Sequence, residues 1–77
     1  MNSADIQRIM AHEIEFEGKI YRNHILHLNR TDGKTELTPF RSELPFTIFV
    51  NGRIRAAITA HHSADGKLKY ELIYEAY

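Results

Sequence analysis

The chain has no cysteine and no tryptophan, few glycines (4) and prolines (2), and no excess of charge, since 10 Lys and Arg balance 10 Asp and Glu. Without cysteine there can be no disulfide staple, no thiol nucleophile and no cysteine-ligated zinc. Without net charge the broad basic footprint of a dedicated nucleic-acid binder is missing. No stretch is apolar over the roughly 20 residues that a membrane helix needs, and the first residues have neither the apolar core nor the small-residue cleavage site of a secretory leader. The expectation is a complete cytoplasmic product forming a single small domain over residues 1–77. A chain of 77 residues buries only about 60% of the surface that its extended form exposes, so its core is modest and oligomerisation is an open route to stability.

What is present is strand-like. From Pro45 to Tyr74, two apolar runs flank Asn51-Gly52 and a third follows Ala64-Asp65-Gly66. Asn-Gly suits the positive-φ positions of a type I′ hairpin, and Gly66 suits the left-handed position of a three-residue turn with a bulge. The spacing therefore predicts a three-stranded antiparallel meander. Its first turn would set Phe49 opposite Ile54, Thr47 opposite Ala56 and Pro45 opposite Ile58. Its second would set Ile58 opposite Leu72, Ala60 opposite Tyr70, Ala56 opposite Tyr74 and His62 opposite Leu68. In that register Phe49, Ile54, Ile58, Tyr70 and Leu72 share the core face, while Phe46, Ile48 and Val50 lie beside Arg53, Arg55 and Ala57 on the other.

Earlier in the chain, Ser3 suits an N-cap and Ile6, Ile9 and Met10 recur at helical spacing, which predicts a short helix over residues 4–11. The sheet is expected over residues 12–75. His12 to Phe16 alternates, and a bulged turn at Glu17-Gly18 would set Ile14 opposite Ile20 and Glu15 opposite Lys19. The run from Lys19 to Asn29 loses alternation at Ile25-Leu26, as a bulge or a strand covered on both faces would. Arg30 to Lys34 is a polar turn, Thr35 to Thr38 a short strand stopped by Pro39 at an edge, and residues 40–44 a connector tied down by Phe40 and Leu44. The resulting expectation is an α+β fold, mainly antiparallel: a short N-terminal helix, then a five- to six-stranded curled sheet or small barrel-like roll ending in the meander. A core face of that size needs a lid that one short helix cannot supply, so either the sheet closes or two chains join.

Few residues carry a pattern for chemistry. Within each of the pairs His24 and His27, and His61 and His62, the strand parities are opposite, and His12 stands apart, so metal binding would require long-range convergence. Glu13, Glu15 and Glu17 share strand parity but flank an exposed turn rather than a pocket. Ser3, Ser42 and Ser63 lack a nucleophile elbow, and the glycines are too isolated to cradle phosphate. Gly18-Lys19-Ile20-Tyr21 is similar to the β-rich segments that open some metal-dependent amidohydrolases, but the His-x-His motif of those enzymes is missing, so the resemblance implies no activity. No catalytic, cofactor or metal residue is expected.

The expected role is therefore that of a non-enzymatic interaction or accessory domain. Its first partner would be itself, as a homodimer formed face to face or by strand addition, and otherwise another protein. Interface candidates are Phe46, Ile48, Val50, Arg53, Arg55, Tyr74 and Tyr77. The alternative is a single-stranded RNA- or DNA-binding module built on Tyr21, Arg22, Arg53 and Arg55, in which aromatic rings stack bases beside arginine.

Overall fold

The computed structural model describes residues 5–41 and 47–76. They form β1 (Ile6–Phe16), β2 (Lys19–Asn29), β3 (Thr35–Pro39), β4 (Thr47–His62) and β5 (Leu68–Ala76). The five strands make one sheet in the order β3-β2-β1-β4-β5. β1 and β4 are parallel, and every other neighbouring pair is antiparallel.

The described residues contain no α-helix, which overturns the expectation of one over residues 4–11. Ile6 to Ala11 is the first half of the central strand. Ile9 and Met10 mimic helical spacing because both are buried, at 0% and 7% exposure, although neighbouring strand residues point to opposite faces. Ile9 belongs to the main core cluster and Met10 does not. A strand covered on both faces cannot be told from a short helix by periodicity. Ile25-Leu26 in β2 behaves in the same way, with Leu26 in the main core and Ile25 buried outside it.

The first β-turn is tighter than the sequence suggests. Glu17 and Gly18 both have positive φ, 52° and 79°, the conformation of a two-residue type I′ loop. Phe16 therefore pairs with Lys19 and Ile14 with Tyr21, one residue away from the expected register.

Asn51-Gly52 is not a hairpin. β4 passes straight through it, and where β1 advances from Ala11 to Glu13, β4 advances from Val50 to Arg53. The two residues sit opposite His12 alone as a β-bulge, and Gly52 supplies the φ of 105°. Staying in one strand sends Phe49 to the face of Arg53 and Arg55 and Val50 to the face of Ile54. Phe49, expected in the core, is accordingly 58% exposed, while Val50 packs against the core.

The second turn forms as expected. Ser63 N–H donates to Lys67 O (2.8 Å) and Gly66 N–H to Ser63 O (2.9 Å), with Gly66 at φ 82°. Ile58 pairs with Leu72, Ala60 with Tyr70, Ala56 with Tyr74 and His62 with Leu68. β3 is also the expected short edge strand ending at Pro39.

The core cluster joins Ile9, Ala11, Ile14 and Phe16 to Leu26, Leu28, Ile54, Ala56 and Leu72, with Tyr21, Leu37, Val50, Ile58 and Tyr70 packed against it. In β1 the step from Ala11 to Ile14 breaks the two-residue period, so the strand changes phase at His12-Glu13. In β2 the matching irregularity is Asn23, at φ 55°. The sheet also bends over its core face. Tyr70 N–H of β5 donates to Arg30 O in the β2–β3 turn (2.9 Å), Leu72 N–H donates to Gln7 Oε1 of β1 (3.1 Å), and the Tyr70 ring lies against Gly33. The edge strands β3 and β5 do not pair with each other, so the sheet is open, and the barrel-like closure expected from the sequence is not formed.

Candidate functional site

The face opposite the core carries an ionic ladder. Glu13 pairs with Arg22 on β2 and with Arg53 on β4, and Glu15 pairs with Arg55. Arg22 Nε lies 2.9 Å from Glu13 Oε2, Arg53 lies 2.6 Å from Glu13 Oε1, and Arg55 Nε lies 3.0 Å from Glu15 Oε2. The hydrogen bond from Arg53, then that from Arg22, holds the Glu13 carboxyl below its ordinary value. Glu75 stands opposite Arg55 on the far side of β4. Charges of alternating sign across neighbouring strands are matched to each other rather than to an external ion.

The nucleic-acid candidates are divided between faces. Arg22, Arg53 and Arg55 lie on the ladder face, whereas Tyr21 packs against the core on the other, its ring 5.7 Å from that of His24. Among the interface candidates, Ile48 is exposed beside Ile9, and Tyr74 is exposed opposite Ala56. Ile48, Val50 and Tyr74 thus align with the core face rather than with Arg53 and Arg55. Phe46 and Tyr77 lie outside the described residues, as do Ser3, Ser42, Leu44 and Pro45.

At the other end of the ladder face, Met10, His12, Asn23, Ile25, Phe40, Thr47 and Phe49 line a hollow of about 510 Å³. His12 Nε2 donates to Asn51 Oδ1 (3.0 Å) at the bulge and meets the Phe49 ring edge-on, with centroids 5.9 Å apart. Phe40 N–H donates to Asn23 O (2.8 Å). His27 lies nearby in sequence on β2, bonded to Thr38 Oγ1 at 2.8 Å. Partial burial, then the Arg8 charge, lowers its pKa below the ordinary 6.5. His61 and His62 are exposed near the β4–β5 turn. Among the described residues, no group of three or more His, Asp or Glu could hold a metal ion, and no helix is long and apolar enough to cross a membrane.

A backbone feature that the sequence reading missed is the overhang of β4. β1 ends where Phe16 pairs with Ala56, but β4 continues to His62 and, among the described residues, pairs there with β5 alone. The direction of its free groups follows from the turn. Ser63 N–H donates across the turn to Lys67 O, so by antiparallel alternation His61/Lys69, Thr59/Glu71 and Ala57/Ile73 are the pairs that exchange bonds, and the intervening pairs point away. The outward N–H groups of Tyr70 and Leu72 on β5 agree with that phase. On β4 the outward residues are Ile58, Ala60 and His62, facing the space where β1 would have continued.

The other edges are less available. β5 uses its outward N–H groups at Tyr70 and Leu72 on Arg30 and Gln7, and β3 is short and ends in proline. The sequence signal for the overhang is the length of β4, hidden because Asn51-Gly52 imitates a turn. In comparison with known proteins, the chain matches no family model, no curated protein and no solved structure.

Proposed function

We propose that this chain is a non-catalytic assembly domain that joins other protein chains through its sheet, with a second copy of itself as the first partner. The observation that carries this reading is the overhang of β4 over Ala57–His62, which among the described residues is paired on one side only. A strand edge with outward N–H and C=O groups is a template for another strand. The same arm exposes Leu68, Ile73 and Tyr74, side chains that a partner could cover.

The nucleic-acid alternative draws less support. Its arginines already face Glu13 and Glu15, and its tyrosine lies on the other side of the sheet. Light scattering over a concentration range tests the assembly reading: the mass is expected to rise above that of one chain, and a strict monomer at the highest concentration would overturn self-association. Anisotropy with short single-stranded RNA and DNA at low salt is expected to show no binding; salt-sensitive binding would favour the alternative.

A further inference from the structure

The geometry points to a specific dimer, resting on the assembly reading above: two copies pair the overhangs of β4 antiparallel, about a two-fold axis at Ala60, into one continuous sheet. Three observations support it.

The hydrogen-bonding phase is self-complementary. The outward residues Ile58, Ala60 and His62 are spaced symmetrically about Ala60. In an antiparallel copy, Ala60 meets Ala60 and Ile58 meets His62 in both directions. These are the positions at which antiparallel partners exchange two hydrogen bonds per pair.

The edge also lacks the devices that prevent strand addition. Residues 56–62 read Ala-Ala-Ile-Thr-Ala-His-His, with no proline, lysine or acidic side chain to repel or block an incoming strand. Ala60 at the axis leaves room for two chains to meet closely.

The slot has the length of the arm that would fill it. At one end it is stopped by Phe16 and the Glu17-Gly18 turn, since β1 lies beside Ala56. An incoming strand must therefore turn away soon after meeting Ile58. β4 of a second copy does so, because His62 is followed directly by the Ser63–Lys67 turn. A long extended peptide would run into the β1–β2 turn instead.

The test uses the absence of cysteine from the chain. In a hydrogen-bonded antiparallel pair the facing Cα atoms stand about 5.5 Å apart, within disulfide range. The Ala60→Cys variant, under mild oxidation at a concentration where the parent self-associates, is expected to form covalent dimer at least about tenfold faster than Ile20→Cys, an exposed site on β2 that a two-fold axis at Ala60 does not bring against its own copy. A second variant, Ala60→Lys, places a charge at the axis and should return the mass to that of one chain while retaining the parent circular dichroism spectrum. If the parent is strictly monomeric, the assembly reading and this dimer both fail. If the parent associates but Ala60→Cys is no faster than Ile20→Cys, the assembly reading stands and the β4 dimer is refuted. Should Ala60→Lys fail to fold, the cysteine pair decides alone.

Discussion

Replacing Gly33 by alanine tests whether the sheet bends over its core as described. Gly33 has φ 79°, where an L-residue is strained by about 1–2 kcal/mol. A stiffer unfolded chain offsets about 0.4–1 kcal/mol of that. Gly18 has the same φ, 79°, and its added Cβ meets nothing within 4 Å, so Gly18→Ala measures the backbone effect alone. At Gly33 the added Cβ stands 2.8 Å from Tyr70 Cε1, whereas carbon atoms rest at about 3.5–4.0 Å. Relief requires moving the Tyr70 ring, which packs on the core, or the Arg30 carbonyl that accepts its N–H. Overpacking of that kind costs about 1–3 kcal/mol. Urea unfolding followed by circular dichroism should therefore show Gly33→Ala losing about 1–3 kcal/mol more than Gly18→Ala, with loss of the cooperative transition counting as a larger effect. If the two variants fall within about 0.5 kcal/mol of each other, the β2–β3 turn does not lie against β5, and the bend is refuted.

Three further outcomes follow from the core and the titrating groups. Ile54→Ala should cost about 2–5 kcal/mol and Phe49→Ala less than about 1 kcal/mol; equal losses in urea unfolding would restore the hairpin at Asn51-Gly52. The Glu13 carboxyl should titrate below its ordinary value by carbon-detected NMR and rise more in Arg53→Gln than in Arg22→Gln, because Arg53 is the stronger partner. Its folded pKa is depressed, so its contribution to stability is present above the unfolded value and is lost as pH falls through the folded one. His27 also has a lowered folded pKa, so the unfolded chain takes up the proton first. Stability should fall as pH drops from the ordinary 6.5 toward the lower folded value, and thermal melts of His27→Gln should lose that part of the dependence.

Features set by adjacent residues were legible in the sequence. Ala64-Asp65-Gly66 yielded the β4–β5 register in full, since a three-residue turn with a left-handed glycine allows one pairing that keeps Ile58 and Leu72 on the same face. Pro39 marked the end of an edge strand. The error at Asn51-Gly52 came from a chemical coincidence: positive φ serves both a I′ turn and a bulge, and only the strand alongside distinguishes them. That strand is β1, forty residues earlier in the case of the Arg53–Glu13 pair. Taking Asn51-Gly52 as a turn exchanged the faces of Phe49 and Val50, and with them the proposed composition of the second face.

The misread segments share one physical origin. His12 lies between Asn23 on one side and Asn51-Gly52 on the other, so the irregularities of β2, β1 and β4 form a single row across the sheet. On one side of that row Ile9, Ala11, Leu26 and Leu28 face the core, and on the other Ile14, Phe16, Ile54 and Ala56 do so. β1 changes phase between them, whereas β4 keeps its even-numbered residues on the core face by inserting one residue. A sheet bent along such a row can cover its own core face without a helix, because its two halves no longer lie in one plane. The lid demanded by a flat sheet is then unnecessary. What the bend does not remove is the unequal length of the strands, for β4 outruns β1 by Ala57–His62. Of the two modes of self-association expected from the sequence, face to face or by strand addition, the proposed assembly thus draws on the second, at the backbone edge.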